Sequence, residues 1–288
     1  MLAYFPNVHM KNVNFCSNER QTNMKLDPKE HHVMNCCYFI RPDSDNPKTM
    51  LEAYAPAAMS AKKTEMKIWG CSDMSSFLSN AIFMQKNLGQ PTYKRLFSDI
   101  ELIDIDHDIV NRAKKGVVGL TQTDMGEINQ YLGVNYRNYF QSAPDKDFFL
   151  RGEPNNINGE RIHPHKIADE LLEGVKIRQG DIRQDVKNLS APQPGVRRIF
   201  DFSNSWYFMN KQDQANLACD FSEKMQRGDI LTIGRVEHAR DIPDVLERVG
   251  FSRKPWTRNI FVKTQDLSKE HLDSTRRFIV QCAEHLIG

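Results

Sequence analysis

From Met66 onward, blocks of apolar residues alternate with polar ones at two different spacings. Met66, Ile68 and Trp69 are followed by Gly70, Cys71, Ser72, Asp73, Ser75 and Ser76, and then by Phe77, Leu78, Ala81, Ile82, Phe83 and Met84. That order predicts a strand, a loop and a helix running from about Phe77 to Leu88, closed by Gly89 and Pro91. A second strand follows at about Glu101 to Ile105, and Asp106 suits the cap of a helix over HDIVNRAKK that ends near Gly116. A helical pattern runs through DMGEINQYLGVNYRNYF until PDKD breaks it, and Phe148 to Leu150 lead into the polar loop RGEPNNINGER. Lys166 to Leu172 is expected as a short helix, Val175 to Gln179 as strand three and Val196 to Phe202 as strand four.

Asn210 to Arg227 has the strongest helical signature. Asn210 is the expected cap with Asp213 at the third helical position, Leu217, Phe221 and Met225 share one face, and Gly228 marks the end. Asp229 to Ile233 reads as strand five, Pro243 to Val249 as a helix, and GFSRKPW with NIFVK as a hairpin pair. The tail from Ser268 to Ile287 is amphipathic; its stripe of Leu272, Ile279, Cys282, Ala283 and Leu286 is expected to pack on the sheet. Strands separated by helices imply an α/β fold with a doubly wound, mostly parallel sheet.

The beginning of the chain is less regular. Met1 to Lys29 is polar and Asn-rich, Glu30 to Ile40 suits one short packed element, and Arg41 to Pro47 reads as a loop. Thr49 to Lys62 is Ala-rich and helical in pattern, with Pro56 expected to kink or break it. The expected division is therefore residues 1–65 as a lead-in or lid and 66–288 as the main domain.

Composition narrows the function classes. The 288 residues are 40% hydrophobic and 26% charged, the profile of a soluble globular protein, and a net charge of +2 gives no reason to expect nucleic acid as a partner. No apolar run reaches the length of a membrane span. The N-terminal residues show no secretory pattern, so a cytoplasmic location is expected. The six cysteines lack CxxC spacing and read as reduced thiols. The histidine pairs His31-His32 and His163-Pro-His165 lack companion ligands and read as surface residues, so no metal is expected.

The loop from Gly70 to Ser76 is the place for chemistry. Backbone N–H groups at a helix start have no partner within the helix and can cradle an anion or a nucleotide. The second strand ends in carboxylates, so Asp104 or Asp106 lies beside that loop, where a carboxylate can accept both hydrogens of a ribose diol. No GxGxxG follows strand one, which disfavours a dehydrogenase. Cys71, within the loop, reads as a small packed thiol.

Five segments in order resemble the CheR-type chemotaxis-receptor methyltransferases: KIWGCSDMSSFLSNAIFM, ELIDIDHDIVNRAKKGVVG, INQYLGVNYRNYF, FLRGEPN with VKIRQGDI, and FDFSNSWYF. The resemblance spans about Met66 to Lys263 and implies a class I methyltransferase fold with S-adenosylmethionine as cofactor and S-adenosylhomocysteine as product. Transferred to this chain, it places Gly70 and Ser72 near the methionine part and Asp104 with Ile105 at the ribose. Asp181 and Ile182 come to the adenine, Ser203 lies at the end of strand four, and Tyr207 stands near the transferred methyl. It departs from the family at Ser76, Phe77 and Leu78, where relatives carry Gly, Glu and Glu, and at Phe202, where they carry Arg. The first ~60 residues show no receptor-recognising helical domain, and Ile233 to Phe261 leaves no room for a receptor-docking β-subdomain. Two function classes follow. One is a methyltransferase acting on a protein side chain; the other is a catalytically silent relative that serves as a binding or regulatory module.

Overall fold

The computed structural model describes residues 47–149, 155–157, 159–203, 205–206, 209–234, 242–255, 257 and 259–285. The expected element at Glu30 to Ile40, His31-His32, three of the cysteines and Tyr207 lie outside them.

In chain order the first elements are α1 (Pro47–Met59), β1 (Lys63–Trp69), α2 (Ser75–Leu88), α3 (Gln90–Leu96), β2 (Asp99–Asp104) and α4 (His107–Lys114). An inserted stretch carries β3 (Val117–Leu120), α5 (Gln122–Glu127), β4 (Phe140–Ser142), α6 (Asp145–Phe148), β5 (Asn156–Ile157), β6 (Glu160–Arg161) and β7 (His163–Ile167). The chain resumes with α7 (Asp169–Leu172), β8 (Val175–Gln179), α8 (Ile182–Asp185), β9 (Val196–Phe202), α9 (Lys211–Lys224) and β10 (Ile230–Ile233). It closes with α10 (Ile242–Arg248), β11 (Phe251–Arg253), β12 (Ile260–Lys263) and α11 (Lys269–His285).

Seven strands form one sheet in the order β8-β2-β1-β9-β10-β12-β11. Numbered by their appearance within it, that is 3-2-1-4-5-7-6. β12 runs antiparallel to both neighbours while the β8-β2-β1-β9-β10 pairings are parallel. This order, with the reversed last strand, is the class I methyltransferase arrangement. The strand sequence reverses direction at β1, whose neighbours are β2 and β9, and ligand crevices of open α/β sheets form at such a switch point.

Two cores flank the sheet. On one side Met50 and Tyr54 of α1 and Leu78 and Ile82 of α2 pack with Ile68, Leu102 and Ile199. On the other, Trp69, Phe200, Phe221, Leu246 and Leu272 pack together. Each such buried aliphatic side chain contributes about 1.5–3 kcal/mol relative to exposure.

Over β1, β2 and β8, charged pairs line up across the strands. Lys63 and Lys176 both donate to Asp99, while Lys67 and Arg178 both reach Glu101. The connection from β8 to β9 holds only the four-residue α8, too short to cover this part of the sheet.

Several expectations are corrected. α1 continues through Pro56. The missing N–H of a proline frees a carbonyl four residues earlier, and here Lys254 Nζ reaches the carbonyls of Glu52 (3.5 Å) and Ala53 (3.1 Å). Pro91 begins a helix, α3, where it was expected to close one, because a proline is well suited to the first helical turn. The pattern ending at Phe140 divides into α5, a π-helical turn, a 3-10 turn and β4, and PDKD starts α6. Lys166 and Ile167 belong to β7; only Asp169–Leu172 is helical. His165 is buried in that small sheet and not at the surface, and burial holds its imidazole below the ordinary value. A small antiparallel sheet of β3, β7 and β4 does exist, placed between α4 and β8 and not between Ile233 and Phe261. Leu272 and Ile279 of the α11 stripe join the core that includes Phe200, Leu231 and Phe261 of the sheet, and α11 also lies along α9, where Cys219 Sγ contacts the Leu272 carbonyl and Arg276 pairs with Asp220.

One buried ion pair joins the starts of β9 and β10. Arg198 Nε donates to Asp229 Oδ2 at 3.0 Å, and the backbone N–H groups of Arg198 and Gln226 also reach this carboxylate. Both side chains are almost fully enclosed (4% and 0% exposed). Burial pushes the Asp229 carboxyl above its ordinary value, and Arg198 opposes it. Replacing Arg198 by Met removes the nearer charge partner, leaving Arg197 Nη1 at 3.7 Å, and should cost up to about 3–5 kcal/mol in urea unfolding; the double variant Arg198→Met/Asp229→Asn should recover part of the loss.

Asp99 behaves oppositely. Hydrogen bonds from Lys63 and Lys176 hold its carboxyl below its ordinary value. Such a group adds stability above its unfolded pKa and loses it as pH falls through the folded one. Asp99→Asn should therefore lower Tm at pH 7, with the difference from the wild type starting to shrink below about pH 4 and closing only below the depressed folded pKa; a difference that stays constant on acidification would count against the pairing.

Candidate active site at the switch of strand order

The loop after β1 is built from unusual backbone conformations. Gly70, Ser72 and Met74 all have positive φ (67°, 48° and 67°), and the latter two are the only non-glycine residues among the described ones that do. Holding a non-glycine residue there costs about 1–3 kcal/mol, a strain found mostly where backbone must face a ligand. Met74 caps α2 without a side-chain bond, and Asp73 Oδ1 accepts from Ser75 N at 3.0 Å. Burial raises the Asp73 carboxyl above its ordinary value. Cys71 is a free, buried thiol in the same loop, pushed well up by burial and by the charges of Asp104 and Asp73.

Asp104 ends β2 and fixes this loop. Its Oδ2 accepts from Ser72 N at 2.9 Å and its Oδ1 from Asp106 N at 3.0 Å. It is 7% exposed, and its carboxyl is raised, chiefly by burial. Asp106 is the cap of α4, accepting from Asp108 N and Ile109 N, so the two carboxylates at this strand end have separate tasks. Next to Asp104, Ile105 is 41% exposed, one of four large apolar side chains so exposed among the described residues. It offers an apolar surface at the strand ends, beside the carboxylate. Gln179 Nε2 donates to its carbonyl at 2.9 Å.

Asp181 follows β8 and begins α8. Its carboxylate is held by Arg183 through Nε (3.0 and 3.1 Å), Nη2 (2.6 Å) and the backbone N–H (2.9 Å). Arg183 Nη1 also approaches Asp213 at the start of α9. Ile182 is buried with Trp69 and Ile103. Ser203 Oγ donates to Asp201 Oδ1 at 2.5 Å just past β9. Ser205 lies against the first loop: a Cβ built on Gly70 would fall 2.6 Å from its Oγ. Gly70, Ser72, Asp104, Ile105, Asp181 and Ser203 thus lie at or just beyond the C-terminal ends of β1, β2, β8 and β9.

The positions where the resembled family has Glu, Glu and Arg are apolar for a local reason. Phe77 and Leu78 face the core of α1 and α2, and Phe202 packs 5.7 Å from Trp206. Asp201 and Ser205 were missed from sequence. An Asp inside the apolar run VRRIFDF was the available signal for the first; nothing local marks the second.

No protein-family model and no curated sequence matches this chain. Solved structures similar to it include the following three. DesVI of Streptomyces venezuelae has 9% identity over 66% of this chain and 49% of its own, with a TM-score of 0.28. An O-methyltransferase family protein from Burkholderia thailandensis has 7% identity over 77% and 59%, with a TM-score of 0.36. Precorrin-6y C5,15-methyltransferase from Geobacter metallireducens has 8% identity over 74% and 88%, with a TM-score of 0.33. The chain thus spans about half to three-fifths of the length of the first two. The strand order, and not these overlaps, carries the fold assignment.

Gly70 offers a direct test of the loop. Alanine there meets a left-handed backbone, a cost on the order of 1–2 kcal/mol, and also collides with Ser205. Gly70→Ala should destabilise less in a Ser205→Ala background than in the wild type, as read by a double-mutant cycle of unfolding free energies. Strict additivity would show that the two loops do not touch.

Proposed function

We propose that the protein binds S-adenosylmethionine in the crevice at the end of β1 and transfers its methyl group to a protein side chain, as a divergent relative of the CheR-type methyltransferases. The observation that carries this reading is the strained Gly70–Met74 loop, anchored by Asp104, at the point where a 3-2-1-4-5-7-6 sheet changes direction. The residues present fit the group. Gly70 holds a left-handed backbone conformation open to glycine, Asp104 is the strand-end carboxylate suited to a diol, and Ile105 supplies an exposed apolar face for a base. Gly70 and Ser72 would hold the methionine part, Asp104 and Ile105 the ribose and neighbouring ring, and Asp181, Ile182 and Ser203 the rest of the crevice.

The cofactor would supply an electrophilic methyl group. Transfer of such a group depends mainly on in-line positioning, so this chain's task is to orient the acceptor and exclude water. Tyr207 is the proposed residue near the methyl. The five motifs in register favour a protein side chain as acceptor.

A second reading, a silent binding or regulatory relative, is favoured by three contacts. The Asp104 carboxylate is engaged by the backbone of Ser72 and Asp106, that of Asp181 by Arg183, and Ser205 lies close over Gly70.

Calorimetry with S-adenosylhomocysteine separates the two. Heat of binding with a defined stoichiometry supports the first reading, and none at high ligand concentration leaves the second. Where binding is seen, Asp104→Asn should weaken it by about 1.5–3 kcal/mol, the scale of a hydrogen bond to a charged group. Unchanged affinity would remove Asp104 from the site.

A further inference from the structure

Between α2 and β9, beneath the sheet end that carries the candidate site, a narrow cavity of about 10 Å³ is lined by Tyr54, Phe77, Met84 and Tyr93, with Asn80 and Asp201 also on its walls. Asn80 is 8% exposed, and its Oδ1 is buried without a hydrogen-bond partner. Buried polar atoms are nearly always paired, so an orphan acceptor facing a cavity points to a donor that fills it. The space is that of one water centre, and an enclosed water needs roughly two to four polar partners.

We propose that this cavity is a binding site for a single water molecule, which donates one hydrogen to Asn80 Oδ1 and the other to the Asp201 carboxylate. A carboxylate offers about four lone-pair directions, so Asp201 can accept this hydrogen while it accepts from Ser203 Oγ. The other walls are mostly apolar, the Tyr54 hydroxyl being bonded to Thr232 Oγ1, and the volume leaves no room for a larger ligand. The water would join the helix that follows the cofactor loop to the end of strand four. That tie is independent of whether a cofactor binds above it.

A high-resolution crystal structure of the wild-type protein decides the matter. One water within hydrogen-bonding distance of Asn80 Oδ1 and Asp201 is expected, and an empty cavity overturns the proposal. Asn80→Leu supplies a solution test. Leucine has nearly the shape of asparagine and removes the acceptor, so it deprives a bound water of one of its partners but relieves an orphan in a dry cavity. A fall in Tm of roughly 2–4 °C is expected; an unchanged or higher Tm overturns the proposal.

Discussion

The geometry of the candidate site rests on one buried carboxylate. Asp104 accepts from the backbone of Ser72 with one oxygen and from that of Asp106 with the other, and so ties the loop after β1 to the loop after β2. Two further backbone bonds carry the tie across three strands: Cys71 N donates to the Ile103 carbonyl and Gly180 N to that of Asp104. The clamp helps to hold Ser72 in a positive-φ conformation that costs free energy, while Met74 is held by its own backbone bonds to Cys71 and Leu78. The ends of β1, β2 and β8 are therefore fixed relative to one another before any ligand arrives. Such preorganisation is what a site needs if binding energy is not to be consumed in ordering loops.

The clamp also explains a tension in the chemistry. Burial raises the Asp104 carboxyl, and the two backbone donors are what keep an enclosed carboxylate tolerable there. A ribose diol would have to share or replace those donors. The same oxygen atoms are then both the support of the loop and the proposed ligand contact, so structure and binding at this position are coupled.

The parts of the fold that were legible in the sequence are those in which local pattern and tertiary environment agree. β8 and β9 fall at the residues expected because β8 alternates apolar Val175 and Ile177 with polar residues between Gly174 and Gly180, β9 carries an apolar run after Gly195, and α9 starts at its expected Asn210 cap. Where they disagree, the reading failed for identifiable reasons. Pro56 is tolerated because Lys254, about two hundred residues away in sequence, reaches the carbonyls it affects. β3, β4 and β7 are too short to establish an alternation, and their pairings join residues far apart in the chain. Of the candidate site, the placement of Asp104 beside the loop after β1 was readable from position alone. The engagement of Asp181 by Arg183 and the approach of Ser205 to Gly70 were not, because each depends on side-chain direction across a loop.

The departures from the resembled family take on a structural meaning in this light. Phe77 and Leu78 lie one turn into α2, on the side that packs against α1, and Phe202 closes the opposite core against Trp206. A glutamate at either α2 position would place an unpaired charge inside an apolar cluster, a cost far greater than any loop contact could return. At these positions the two cores of the sheet carry packed apolar side chains, and no charge is presented to the crevice from them. In the proposed reading, recognition of a ligand would fall to what remains at the rim: the backbone of the Gly70–Met74 loop, the Asp104 carboxylate and the exposed face of Ile105. A site of this kind depends on backbone shape more than on charged side chains, which is why it is faint in the sequence and distinct in the fold.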